Sequence, residues 1–253
     1  MVDEPGGDPF SVMLKQKLTD IIVWYDNENP RSKQQAIGPS EIGDPCDRRI
    51  GYRLANVPEV NTRFDPWAGI VGTALHSWLE KAVSVWCQEH GSADWHTETT
   101  LILNEFVEGH ADLYNSPYQA VIDWKSASQD VLRHAELHGP SEGYMVQTHL
   151  YGYMFEQAGF PVTRVALVFL PRAGRLSDMY VWSQLYDKSV ALHALDRMYG
   201  IAQQIVDLDI LNESHRWEQI EATPGKGCGY CPWFEARRDP ERSADDTGCP
   251  GPN

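Results

Sequence analysis

Apolar residues near the start of the chain recur every three or four positions, at Phe10, Leu14, Leu18, Ile21, Ile22 and Tyr25. That spacing puts them on one face of a helix and predicts an amphipathic N-terminal helix ending near residues 27–30. Asp44-Pro45 supplies an N-cap and a first-turn proline for a short helix through Leu54. Asp65-Pro66 repeats the signal, and the helix it opens should run to Glu89 or His90, with Gly91 as its stop. The pattern then turns strand-like over residues 95–103, 106–114 and 118–124. Short turns at Asn104-Glu105 and Asn115-Ser116-Pro117 divide these segments, which favours an antiparallel meander. Ser141 with Glu142 starts a helix that ends before Gly159. Residues 164–170 and 178–185 read as strands, and 187–211 as a long helix.

The core order is therefore helix, three strands, helix, strand, an α/β arrangement in which helices cover a small mixed sheet. Three parts follow from it: an N-terminal extension at residues 1–38, a core at 39–211, and a Cys-rich tail at 212–253. The tail is rich in Gly, Pro and Cys and is expected to be irregular.

The formal net charge of −15 argues against a protein that coats nucleic acid. It leaves room for an enzyme that holds a strand in a groove, because local charge and bound cations act there. The stretch from Arg31 to Arg63 holds six basic and four acidic side chains in an otherwise acidic chain. The N-terminus is acidic and Gly/Pro-rich, without the basic start and apolar core of a secretion signal. No apolar run reaches the ~18 residues of a membrane span, so the expected setting is the cytoplasm, with no membrane partner. Five cysteines, an odd number in a chain without that signal, suit metal ligation better than a disulfide framework.

Chemistry concentrates in two short stretches. Asp112 closes Gly109-His110-Ala111-Asp112, and Asp123 and Lys125 lie in Val121-Ile122-Asp123-Trp124-Lys125. Strand periodicity puts Asp123 and Lys125 on one side, and Asp112 ends the neighbouring strand. Paired carboxylates suit a hard cation such as Mg²⁺ or Mn²⁺, which activates water and stabilises charge on a phosphoryl oxygen. A lysine two residues on can position water or a phosphate oxygen. The same residues could instead be turn caps and a solvent-facing lysine. His76, in a helical stripe with Gly72 and Glu80, adds a nitrogen donor, and glycine there would permit close approach. Gln147 and Tyr151, one turn apart, could touch a phosphate or orient Lys125.

The series G-x-x-x-H, G-x-x-D, D-x-K, Q-x-x-x-Y resembles the RecB-like branch of the PD-(D/E)XK nucleases. More narrowly, it is similar to the CRISPR-associated, Cas-four-type iron–sulfur exonucleases and their phage relatives. The resemblance covers residues 40–249 and implies the restriction-endonuclease-like fold. It implies a metal-dependent DNA exonuclease acting on single strands or ends. His76, Asp112, Asp123 and Lys125 would do the chemistry, and the Trp124 carbonyl would be a further metal ligand. Gln147 and Tyr151 match the helix motif, and Glu98 is a looser match to an acidic residue on the first strand.

The resemblance also implies a cluster held by one cysteine before the core and three after it: Cys46, Cys228, Cys231 and Cys249. Four thiolates suit 4Fe-4S and tetrahedral Zn²⁺ equally, so the cluster assignment comes from the resemblance. Seventeen residues separate Cys231 from Cys249, a longer gap than the resemblance leads one to expect. Cys87 reads as a buried small hydrophobe. The cluster would tie the tail to the Asp44–Leu54 helix and gather Arg48, Arg49, Arg237 and Arg238 into a basic entry for DNA. Trp67, Trp78, Trp124 and Trp233 are candidates for stacking on bases, although helical tryptophans more often serve the core. An endonuclease or nickase, a non-cutting DNA- or partner-binding module, and a structural zinc protein are the competing readings. Recombination or CRISPR-adaptation proteins are the protein partners that fit.

Overall fold

The computed structural model describes residues 8–28, 36–61, 65–223, 226–234 and 249. The chain opens with α1 (Pro9–Glu28), whose apolar side chains, among them Phe10, Ile21 and Tyr25, are exposed. A four-residue helix, α2 (Pro39–Ile42), precedes α3 (Asp47–Leu54), which starts two residues later than Asp44-Pro45 suggests, with Cys46 at its N-cap. The long α4 (Trp67–His90) ends at Gly91, whose φ of 60° is the left-handed conformation that glycine adopts without strain.

Five strands follow: β1 (Trp95–Ile102), β2 (Glu108–Asn115), β3 (Ala120–Ala127), β4 (Arg164–Pro171) and β5 (Tyr180–Leu185). They form one sheet in the order β1-β2-β3-β4-β5. The first three make the expected antiparallel meander; β3 and β4 are parallel, and β5 returns antiparallel. The crossover from β3 to β4 carries α5 (Gln129–His138) and α6 (Glu142–Gln157). A parallel pair needs such a crossover, because a tight turn cannot reverse the chain twice. The last long helix, α7 (Lys188–Asp207), packs on α6.

Helix α6 is the centre of the packing. Leu150, Tyr151, Met154 and Phe155 are buried between the sheet and α7, and Tyr114 of β2 stacks on Phe155 at 4.8 Å. Strand β4, buried along Val165–Leu170, is the apolar run expected of a strand paired on both edges. The helix α5 was not expected from the sequence. Its signals are the Ser128 N-cap, whose hydroxyl accepts the Val131 N–H, and inward-facing Leu132 and Ala135.

Gly109 is fixed by packing. A Cβ there would stand 2.7 Å from Pro39 and 2.8 Å from the Tyr151 ring, so any other residue would push α2 and α6 off the sheet. At Gly72 the protein's own backbone makes no close approach. A Cβ at Gly72 would meet nothing within 4 Å, so no element of the described fold needs its small size. Cys87 is half-buried rather than buried. The tryptophans divide: Trp233 is core, while Trp67 and Trp78 on α4 are 59% and 66% exposed, against the usual habit of helical tryptophan. Among the described residues no helix is long and apolar enough to cross a membrane.

Candidate metal centre and catalytic site

The sheet register assembles the carboxylates. Thr97↔Leu113 and Thr99↔Ala111 are paired rungs, so Glu98 of β1 stands opposite Asp112 of β2. The β2–β3 ladder ends at Leu113↔Ile122, one rung short of Asp112 and Asp123. There the backbone N–H of Trp124 turns to the Asp112 side chain, donating to Oδ2 at 2.7 Å. The side chain replaces the lost rung, the two strands part, and β3 stays with β4 through Lys125↔Phe169. Glu98, Asp112 and Asp123 thus come from neighbouring positions on three adjacent strands.

Helix α4 brings His76 to this row. Its Nδ1 lies 2.9 Å from Asp112 Oδ1. One ligand atom from each of His76, Glu98 and Asp112 lies within 4.8 Å of the others, and this is the one such set among the described residues. Burial pulls the His76 imidazole toward neutrality. The hydrogen bond and charge of Asp112 outweigh that pull and raise its pKa above the ordinary value.

Glu98 is the residue that sequence reasoning undervalued. Its φ is 42°, in the left-handed region that a strand glutamate rarely occupies. Strained backbone of this kind persists where the surroundings hold it, often at functional sites. Its signal in the sequence was one acidic residue in a Thr-rich strand, His96-Thr97-Glu98-Thr99-Thr100.

Asp123 lies beside this set and is joined to Lys125. Gln147 on α6 bridges them: its Nε2 donates to Asp123 Oδ1 at 3.0 Å, and its Oε1 accepts from Lys125 Nζ at 2.8 Å. Lys125 Nζ is also 2.6 Å from Asp123 Oδ2 and 4.6 Å from the centroid of the Tyr144 ring. Asp123 Oδ2, despite that ion pair, accepts no aligned hydrogen bond and is buried. Burial pushes the Asp123 carboxyl up to about 6, against the pull of the Lys125 ammonium and with the push of Asp112. A buried oxygen with spare lone pairs beside a His–Glu–Asp donor set fits a hard divalent cation. Tyr151 lies behind this layer. Burial, then the charges of Asp123 and Asp112, raise its phenol pKa, so it stays protonated within hydrogen-bond reach of Gln147.

A second lobe brings Cys46, Cys228, Cys231 and Cys249 into one region, with no three of their sulfurs within 4.8 Å of one another. The Cys231 N–H donates to Cys228 O at 3.0 Å, and the Cys249 N–H to Trp233 O at 2.7 Å. Cys249 is thereby brought back to the Cys228–Cys231 turn despite its long separation in sequence. Cys46, Cys231 and Cys249 lie close enough to act electrostatically on Tyr52, whose phenol is raised first by burial and further by their charge. Burial also raises the Cys231 thiol, Arg49 opposes this, and Cys249 and Cys46 add to it. Arg48 joins the lobe to the core: Nε donates to Ile220 O at 3.0 Å and Nη2 to Glu218 O at 3.2 Å, and Nη1 lies 3.9 Å from Cys249 Sγ. Arg49 pairs with Asp44 at 2.9 Å. Both guanidinium groups therefore have partners within the lobe. Arg237 and Arg238 lie outside the described residues.

The sequence profile of the PD-(D/E)XK nuclease superfamily matches residues 106–236, just over half of the chain. The chain belongs to the PD-(D/E)XK nuclease superfamily. The mixed five-stranded sheet flanked by helices is the fold of this superfamily. The matched segment contains Asp112, Asp123, Lys125, Gln147 and Tyr151, whereas His76 and Glu98 precede it. Solved structures similar to the chain include two exonucleases. A phage-related exonuclease from Haemophilus somnus has 15% identity and a TM-score of 0.47, covering 66% of this chain and 82% of that one. An alkaline exonuclease from Laribacter hongkongensis has 13% identity and a TM-score of 0.48, covering 73% and 95%. No curated protein matches the sequence.

Proposed function

We propose that this PD-(D/E)XK protein is a divalent-metal-dependent deoxyribonuclease that degrades DNA from ends or as single strands, and that it carries a structural iron–sulfur cluster. The observation that carries the enzymatic reading is the convergence of His76, Glu98 and Asp112 beside the Asp123–Lys125 pair. His76, Glu98, Asp112 and Asp123 would hold Mg²⁺ or Mn²⁺, with the Trp124 carbonyl as a further ligand. A cation of this type activates water and offsets charge on a phosphoryl oxygen.

The protein's own groups do the positioning. Lys125 is held between Gln147 and the Tyr144 ring, so its ammonium enters the site in one orientation. It can donate to the phosphate oxygen that gains charge, or to the attacking water. Gln147 keeps Lys125 and Asp123 in register, and Tyr151 supports Gln147 from behind. The Asp112 bond to the Trp124 N–H fixes that carboxylate against rotation. The exonuclease form of the activity rests on the resemblance of the H, D, D-x-K, Q-x-x-x-Y series. The cluster assignment rests on Cys46, Cys228, Cys231 and Cys249, with the lobe that draws Cys46, Cys231 and Cys249 together as support.

The test is cleavage of end-labelled single- and double-stranded DNA by anaerobically purified protein with Mn²⁺, Mg²⁺ or EDTA, beside Lys125→Ala. Metal-dependent cleavage that fails in the variant is expected, and the product ladder separates exonuclease from endonuclease. A folded, metal-loaded protein that cuts nothing would leave a binding module as the working description.

A further inference from the structure

Between α5 and the first turn of α6 lies an open cavity of about 340 Å³ with an almost wholly apolar wall. Val131, His134, Ala135, Pro140, Tyr144 and Phe169 form it. Its floor belongs to the fold: Ala135 and Phe169 are buried members of a small core of their own, and Tyr144 packs against that core. Its position is what gives it meaning. The Tyr144 ring that walls the cavity is the ring that carries Lys125 Nζ 4.6 Å from its centroid. The cavity and the lysine of the D-x-K motif therefore share the Tyr144 ring.

We propose that this cavity takes up one base of the DNA strand, that of the nucleotide next to the phosphate engaged by Lys125, stacked against Tyr144. The inference rests on the nuclease reading and names a contact of that same site. A strand whose phosphate meets Lys125 must send a base to one side or the other, and the apolar recess is walled by the same Tyr144 ring that lies under that lysine. The partly exposed Tyr144 ring, set against buried Phe169 with centroids 6.2 Å apart and a tilt of 54°, offers its face to a base. Asp130, on the cavity lining, disfavours a phosphate or any other anion as the occupant and can accept from a base amino group. The volume lies at the small end of the ~300–1,000 Å³ range of ligand pockets, which suits a single base. Stacking accepts all four bases because each has a π face, so the site asks for a base without specifying which.

The test is an abasic scan. Single-stranded oligonucleotides carrying one abasic residue at successive positions are measured twice with the full chain, for affinity in EDTA and for kcat/KM with Mn²⁺. Wild type should lose about 5- to 150-fold at a single position beside the cut, the span that one base–aromatic stack represents. Val131→Trp fills the cavity from a side chain that is 43% exposed, so the fold should tolerate it. This variant should lose the same factor on ordinary DNA and become indifferent to the abasic residue. Wild type that is blind to abasic residues, or Val131→Trp that binds and cuts like wild type, overturns the proposal. Metal-dependent cleavage without base dependence removes the pocket and keeps the nuclease. Base-dependent affinity in EDTA that Val131→Trp abolishes, without cleavage under either ion, removes the nuclease and keeps the pocket.

Discussion

Glu98 stands opposite Asp112 across β1 and β2, between the rungs Thr97↔Leu113 and Thr99↔Ala111, and holds its backbone at a φ of 42°. A left-handed φ in a residue with a Cβ costs roughly 1–2 kcal/mol, which glycine avoids. In EDTA, Glu98→Gly should therefore be more stable than Glu98→Gln by about 1 kcal/mol. Both should weaken Mn²⁺ binding by about tenfold or more, the factor that 1.4 kcal/mol represents. Urea unfolding beside Mn²⁺ titration checks the pair; equal stability of the two variants would remove the strain argument.

Asp123 makes the metal-free protein pH-dependent. Its carboxyl is pushed from the ordinary 3.8 up to about 6 by burial, so folding takes up a proton between those values. The contribution to stability is fully present below about 3.8 and is lost as pH rises through about 6. Asp123→Asn, which mimics the protonated form, should be the more stable protein in EDTA at pH 7.5. The advantage should vanish near pH 4 and reverse with Mn²⁺, which stabilises only the protein that binds it. Unfolding midpoints across that pH range, with EDTA and with Mn²⁺, decide the matter.

His149 has the opposite sign. It is fully buried on α6, accepts the Asp187 N–H at Nδ1 (3.1 Å) and meets Gln184 at Nε2. Burial lowers its pKa, with Asp187 pulling weakly the other way, so the folded protein keeps the ring neutral. Stability should fall as pH drops below the ordinary histidine value near 6.5, because the unfolded chain then takes the proton. His149→Asn, which keeps an acceptor near Nδ1, should flatten the melting temperature between pH 7 and 5. A slope equal to wild type would assign the acid sensitivity elsewhere.

The cysteine lobe predicts a metal-dependent tail. Cys46→Ser should abolish bound iron and acid-labile sulfide, or bound zinc if the protein is colourless, and should expose the segment beyond Ile220 to proteases. Cys87→Ser, at a half-buried position on α4 away from the lobe's hydrogen bonds, should leave metal content unchanged. Iron, sulfide and zinc analysis with limited proteolysis reads both; metal retained by Cys46→Ser would exclude that ligand.

Much of this was legible before folding. Strand-like composition announced β1 to β3, and the short turns at Asn104-Glu105 and Asn115-Ser116-Pro117 announced their antiparallel order. The Asp65-Pro66 start and Gly91 stop marked out α4 closely. α5 was overlooked because its ten residues bury only Leu132 and Ala135, too short an apolar stripe to stand out. Asp112, Asp123 and Lys125 were readable because strand periodicity and motif spacing are local properties. That Gln147 could orient Lys125 was legible from the sequence, but its simultaneous bond to Asp123 was not, since the bridge is a contact across 22–24 residues.

The sequence by itself determined the element order, the antiparallel meander, and the residue types that hydrolytic metal chemistry needs, because these depend on propensity and short-range spacing. Tertiary structure decided which donors converge. Whether Glu98 faces Asp112 depends on the register of two strands, and a slip of one residue would turn it to the other face of the sheet. Whether Cys249 rejoins Cys231 depends on a pairing with Phe234 across residues that share no repeating pattern. Nor could the sequence show the cavity beside Lys125, which exists because α5 and α6 leave a space between them over Phe169.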